Sequence, residues 1–134
     1  MPPPTPPPEF LYKILPTARS PPPSPTNPFP LSALDAKDGF VHLSTRSQVP
    51  HTCDRFFVDN SRIWVQKVKL ALLEDGGEVK WELGGEGRED REGDWFAHLF
   101  GRGLTGGDVV GVKGFERGEG KSWVEVLENE GWLE

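Results

Sequence analysis

Thirteen of the fourteen prolines fall within the first thirty of 134 residues. Proline fixes φ at about −65° and offers no amide N–H, so such runs stay out of helix interiors and sheet centres. Met1 to Glu9 is nearly all proline and reads as an extended, solvated leader, disordered over residues 1–9. Its PxxP spacing would also suit a ligand for a partner domain. Pro16 to Pro30, with Pro21-Pro22-Pro23, reads as a loop that no regular element crosses, either a lid or simply mobile. Between the two, Phe10-Leu11-Tyr12-Lys13-Ile14 is apolar and rich in strand formers and predicts a first strand. The folded part is therefore expected as one domain over residues 10–134, with 35% hydrophobic and 27% charged residues enough for one modest core.

Several function classes drop out on composition. No stretch approaches the roughly 20 apolar residues that span a bilayer, and Met1-Pro2-Pro3-Pro4 has no basic or apolar region of the signal-peptide kind. A single cysteine, Cys53, cannot close an intramolecular disulfide, which fits a reducing, cytoplasmic setting. The net charge of −6 is uneven. Residues 1–65 carry six Lys/Arg against five Asp/Glu, whereas residues 66–134 carry nine against sixteen. Such a surface repels polyanions, so general nucleic-acid binding is not expected.

Further along, Leu31 to Ala36 predicts a short helical turn closed by Asp38-Gly39. Phe40-Val41-His42-Leu43-Ser44 predicts a strand whose alternation puts Phe40, His42 and Ser44 on one face. Thr45-Arg46-Ser47-Gln48 has capping-box spacing and predicts a helix through Phe57, with Phe56 and Phe57 turned to the core. Arg62 to Leu70 is expected as the longest strand, with Val79 to Leu83 its hairpin partner across Glu74-Asp75-Gly76-Gly77. Gly84 to Asp94 is charged and glycine-rich and reads as a mobile loop. Trp95 to Phe100 restores the apolar pattern. Val109 to Val112 is a late strand with Gly111 marking a bulge or close approach. Ser122-Trp123-Val124-Glu125 repeats the capping-box spacing before a terminal helix or strand. Short strands with few helices imply an α+β or mostly β domain.

The chemistry rests on few residues. His42 is a strand histidine sharing a face with Ser44, and His98 lies in an aromatic segment; each also reads as a half-buried histidine satisfied by backbone. His51 reads as surface. Glu82, on a strand with Val79 and Trp81 facing the other way, is either a solvated acid or a fixed carboxylate that opposes positive charge. Cys53 and His51, two apart, do not face each other on a helix. His42, Glu82 and His98 lack metal-ligand spacing, so no metal is expected.

These residues resemble a known family. Tyr12-Lys13-Ile14, then Asp38-Gly39-Phe40-Val41-His42-Leu43-Ser44-Thr45 with Gln48-Val49, then Lys80-Trp81-Glu82, then Phe96-Ala97-His98-Leu99-Phe100-Gly101 occur in the order of the domain of unknown function 952 family, over about residues 10 to 113. Ala97 and Phe100 depart from it, standing where the family usually shows proline and tyrosine, so a phenol is missing. The resemblance implies an α+β, ADP-ribosyltransferase-like fold, a split pair of small antiparallel sheets gripping NAD. It implies His42 and Ser44, with Thr45 and Trp81, as contacts to the ribose and nicotinamide end, and His42 as catalytic besides. It also implies Glu82 as the carboxylate that opposes the ribosyl cation, and His98 as a group orienting a phosphate or an attacking atom. Phe40, Trp81 and Phe96 would supply a stacking wall. The function so implied is a small enzyme cleaving or transferring at the ribose C1 of NAD or another ADP-ribosyl compound. The alternatives are a non-catalytic nucleotide-binding module and an RNA-end 2′-phosphotransferase, for which Lys13, Arg46 and Lys80 are the available cations.

Overall fold

The computed structural model describes residues 7–16, 33–83 and 95–134. The expectations for most of the leader, for the loop after Pro16 and for the Gly84–Asp94 segment lie outside the described residues. The elements run β1 (Phe10–Leu15), α1 (Ala33–Asp38), β2 (Val41–Leu43), α2 (Val49–Phe56), β3 (Arg62–Lys69), α3 (Leu70–Leu73), β4 (Glu78–Leu83), β5 (Trp95–Phe100), β6 (Val109–Glu116) and α4 (Trp123–Leu127).

The strands form two antiparallel sheets of three, ordered β1-β3-β6 and β2-β5-β4. This is an α+β domain. Alternation decides what each face of the first sheet meets. Tyr12, Ile14, Ile63 and Val65 point to α2 and α4 and join Val49, Cys53, Trp123 and Leu127 in one core cluster. Leu11 and Val68 point the other way and join Val41, Leu43, Ala97 and Leu99 of the second sheet. The first sheet is thus sandwiched, which is why β1 is buried on both faces. The sheets meet at one seam, where Tyr12 and Ser44 exchange backbone hydrogen bonds of 2.8 and 2.9 Å.

Both capping-box spacings leave their mark. Ser122 and Glu125 form the full reciprocal box at α4. At α2 only half forms: Gln48 Oε1 accepts from the Thr45 amide at 3.0 Å, and the helix starts one turn later than expected. Gly39 closes α1 at φ +82°, a conformation open to glycine at no steric cost. The bulge expected at Gly111 is present as a register shift opposite Lys67 and Val68.

Two expectations fail. Val79 to Leu83 is not the hairpin partner of the long strand, because Leu70-Ala71-Leu72-Leu73 folds into a helical turn with Leu70 and Leu73 buried. That turn carries the chain from the first sheet to the second, where β4 pairs with β5. Phe56 is 59% exposed rather than in the core. Successive helix residues diverge by about 100°, so only Phe57, at the helix end, reaches the first cluster.

Candidate functional site

The second sheet buries Val41, Leu43, Ala97, Leu99, Val79 and Trp81 on one face. Period-two alternation then forces His42, His98, Lys80 and Glu82 onto the other. His42 and His98 are direct cross-strand partners, and Lys80 is the partner of His98 on its far side. Glu82, one diagonal away, reaches back so that its Oε1 accepts from His98 Nδ1 at 2.8 Å. The two histidine rings lie 5.3 Å apart between centroids, edge to face.

His42 is held from both ends. Its Nδ1 lies 2.7 Å from Asp35 Oδ1 and its Nε2 lies 2.9 Å from Asp38 Oδ2. A carboxylate oxygen only accepts, so each contact is a hydrogen bond when the facing ring nitrogen carries a proton. Asp35 is 2% exposed. It also accepts the His42 backbone amide at 3.2 Å and Lys13 Nζ at 2.6 Å. Burial pushes the Asp35 carboxyl up, but the bonds from His42 and the charge of Lys13 outweigh it and hold it below the usual aspartate range.

His98 differs. It is 6% exposed, and burial lowers its pKa against the opposing effect of Glu82, so the ring is neutral near pH 7. With Nδ1–H donated to Glu82, Nε2 carries the lone pair, and it makes no hydrogen bond among the described residues. Phe40 stacks on this ring at 4.2 Å and 27° and also touches His42 and Phe100. Beside Phe100, whose ring carries Lys80 Nζ at 4.9 Å, a shallow hollow of about 310 Å³ opens over Gly76, Gly77, Glu78 and Gly101.

The structure therefore brings together His42, His98 and Glu82 of the residues expected from sequence. It does not bring in Ser44, Thr45 or Trp81. Ser44 is buried at the seam between the sheets, and its hydroxyl has no partner among the described residues. Thr45 is buried, with its amide committed to Gln48. Trp81 lies against the core on the face opposite Glu82 and so cannot wall the same site. Of the three cations, Lys13 is bound to Asp35 and Arg46 Nε donates to the Leu133 carbonyl, which leaves Lys80 alone on the face of the histidines. Among the described residues no cluster of three or more metal-ligating side chains forms. Sequence reasoning missed Asp35 and Asp38. Their spacing of three on a short helix, just ahead of the histidine strand, places both carboxylates toward it.

The family model described as Protein of unknown function (DUF952) matches residues 24–112, more than half of the chain. The chain belongs to this family. The matched region holds all of His42, Glu82 and His98, whereas Tyr12-Lys13-Ile14 lies before it. The crystal structure of protein CC0527 from Caulobacter crescentus is similar, at 25% identity and a TM-score of 0.62 over 84% of this chain and 91% of that one. A double mutant of the same Caulobacter crescentus protein gives the same TM-score and coverage at 24% identity. No curated protein matches the chain in sequence. No helix among the described residues is long and apolar enough to cross a membrane.

Proposed function

We propose that this chain is a small enzyme of the ADP-ribosyltransferase-like type, acting at the ribose C1 of NAD or another ADP-ribosyl compound. The observation that carries this is the carboxylate of Glu82 fixed by the buried His98 next to His42. Cleavage at C1 places positive charge on the ribose as the bonding pair leaves with the ring nitrogen. A carboxylate already oriented by a rigid strand opposes that charge without reorganising. The acceptor, water or an alcohol, gives up a proton, and His98 Nε2 is a neutral base suited to take it. The two split sheets and the acidic character of Asp35, Asp38 and Glu82 support the same reading, and a reducing cytoplasmic setting fits buried Cys53.

A nucleotide-binding module without turnover is the competing reading, favoured by the 6% exposure of His98. Nicotinamide release from NAD separates the two. Glu82→Gln keeps size and an accepting oxygen but removes the charge, so turnover should fall by about 10²–10³ with little change in affinity. Full turnover in Glu82→Gln, or none in the wild type with any ADP-ribosyl donor, leaves the binding module in its place.

A further inference from the structure

The last residue of α1 and the turn after it, Asp38-Gly39-Phe40, cover both histidines. Asp38 Oδ2 takes His42 Nε2 at 2.9 Å, and the Phe40 ring lies flat on His98 at 4.2 Å. Between them Gly39 sits at φ +82°, and a Cβ there would meet nothing within 4 Å, so the pivot has free space around it. Under the Phe40 ring, the side chain of His98 is 8% exposed. Its Nε2 has no hydrogen-bond partner among the described residues, and a buried polar atom without a partner is costly unless something else supplies one.

We propose that this turn is an internal occupant of a nucleotide site. The Phe40 ring takes the place of the ligand's flat ring, and the Asp38 carboxylate takes the place of an oxygen acceptor such as a phosphate or ribose oxygen. The proposal rests on the nucleotide reading above and adds which atoms the ligand meets. A planar ring stacks on His98, an oxygen accepts from His42 Nε2, and a hydroxyl donates to His98 Nε2. Binding swings Phe40 outward about Gly39, while the ligand oxygen takes the His42 Nε2 contact from the Asp38 side chain. Because the open form is the minor one, the observed affinity is reduced by the fraction that is open.

The probe is nicotinamide mononucleotide, titrated against the wild type, Phe40→Ala and Asp38→Ala by calorimetry. His98 is followed in parallel by NMR of its ring protons. Phe40→Ala removes the competing ring and should tighten binding about tenfold, and Asp38→Ala should also tighten it. In the saturated wild type, the contacts between Phe40 and His98 ring protons should disappear. Phe40→Leu, which keeps apolar bulk but cannot stack, serves if the alanine variant does not fold. Binding that is unchanged or weaker in these variants overturns the proposal. So does a ligand-saturated wild type in which Phe40 stays on His98, or no binding by any form at millimolar nucleotide. Tighter binding by the variants without any nicotinamide release from NAD would uphold the occupant and remove only the catalytic reading.

Discussion

Asp35→Asn is the sharpest test of how the site is held. The carboxylate is 2% exposed, and Lys13, whose side chain is 11% exposed, donates to it at 2.6 Å. Its other oxygen accepts from His42 Nδ1 at 2.7 Å and from the His42 amide at 3.2 Å. Removing one partner of a buried ion pair costs about 3–5 kcal/mol, because the remaining charge keeps its desolvation penalty. Asparagine retains one accepting oxygen, so the lower end, about 3 kcal/mol, is expected. Against a total stability of about 5–15 kcal/mol that is a large fraction. For a domain of this size it corresponds to a fall in Tm of roughly 10–15 °C, measured by calorimetry. Lys13→Met in the Asp35→Asn background should restore part of the loss, since it removes the charge that was left behind. The sign with pH follows from the depressed carboxyl. Its contribution is present above the ordinary aspartate value, about 4, and is lost as pH falls through the lower folded value. If Asp35→Asn melts within 2–3 °C of the wild type, within about 1 kcal/mol, the buried pair does not hold β1, α1 and β2 together.

Three further outcomes are expected. The His98 pKa is lowered chiefly by burial, so its contribution to stability is present above about pH 6.5 and is lost as pH falls through the folded value. Glu82→Gln should lower that titration further, read by histidine NMR. Asp54 accepts the Trp123 amide at 2.6 Å and the Val124 amide at 3.3 Å, capping α4 from α2, so Asp54→Ala should cost about 1–2 kcal/mol in urea unfolding. An unchanged midpoint would refute that cap. The Cys53 thiol is buried and its pKa pushed far up by burial, so it should resist a thiol reagent in the native state and react once the chain is unfolded.

Local signals carried through wherever two adjacent levels of structure agreed. Phe40-Val41-His42-Leu43-Ser44 alternates with period two, and its buried partners Val41 and Leu43 alone decide which way His42 faces. Ser122 and Glu125 satisfy each other within one turn, so their box needed no distant partner. Val79 to Leu83 was legible as a strand but not as to its neighbour. Strand pairing depends on what covers each face, and β1, remote in sequence, covers β3 first. Trp81 illustrates the same limit. Its alternation away from Glu82 was readable, yet only the packing of the second core cluster shows that this other face is interior. Asp35 and Asp38 escaped notice because a short helix carrying acids usually reads as a solvated surface. What makes them functional candidates is His42, which both carboxylates meet, with Lys13 brought from β1 onto Asp35.

Two histidines paired across adjacent strands would ordinarily share one environment, and here carboxylate placement separates them. His42 faces two acceptors, Asp35 at Nδ1 and Asp38 at Nε2. His98 faces one acceptor, Glu82, and a hydrocarbon ring, so one nitrogen donates and the other keeps its lone pair. The separation reinforces itself. Burial leads in lowering the His98 pKa, and any charge on the His42 ring, 5.3 Å away, adds to it. On the proposed reading, a donor beside an acceptor on one rigid sheet face suits acid–base work at a ribose, since one group would hold an oxygen while the other removed a proton. Asp38 is the half-exposed partner of His42, and it ends α1 two residues before Phe40. A ligand that displaced the Phe40 ring from His98 would therefore meet the Asp38–His42 contact directly beside it. On the proposed opening, access to His98 and the hydrogen bonding of His42 would change together, because Asp38 and Phe40 flank one glycine.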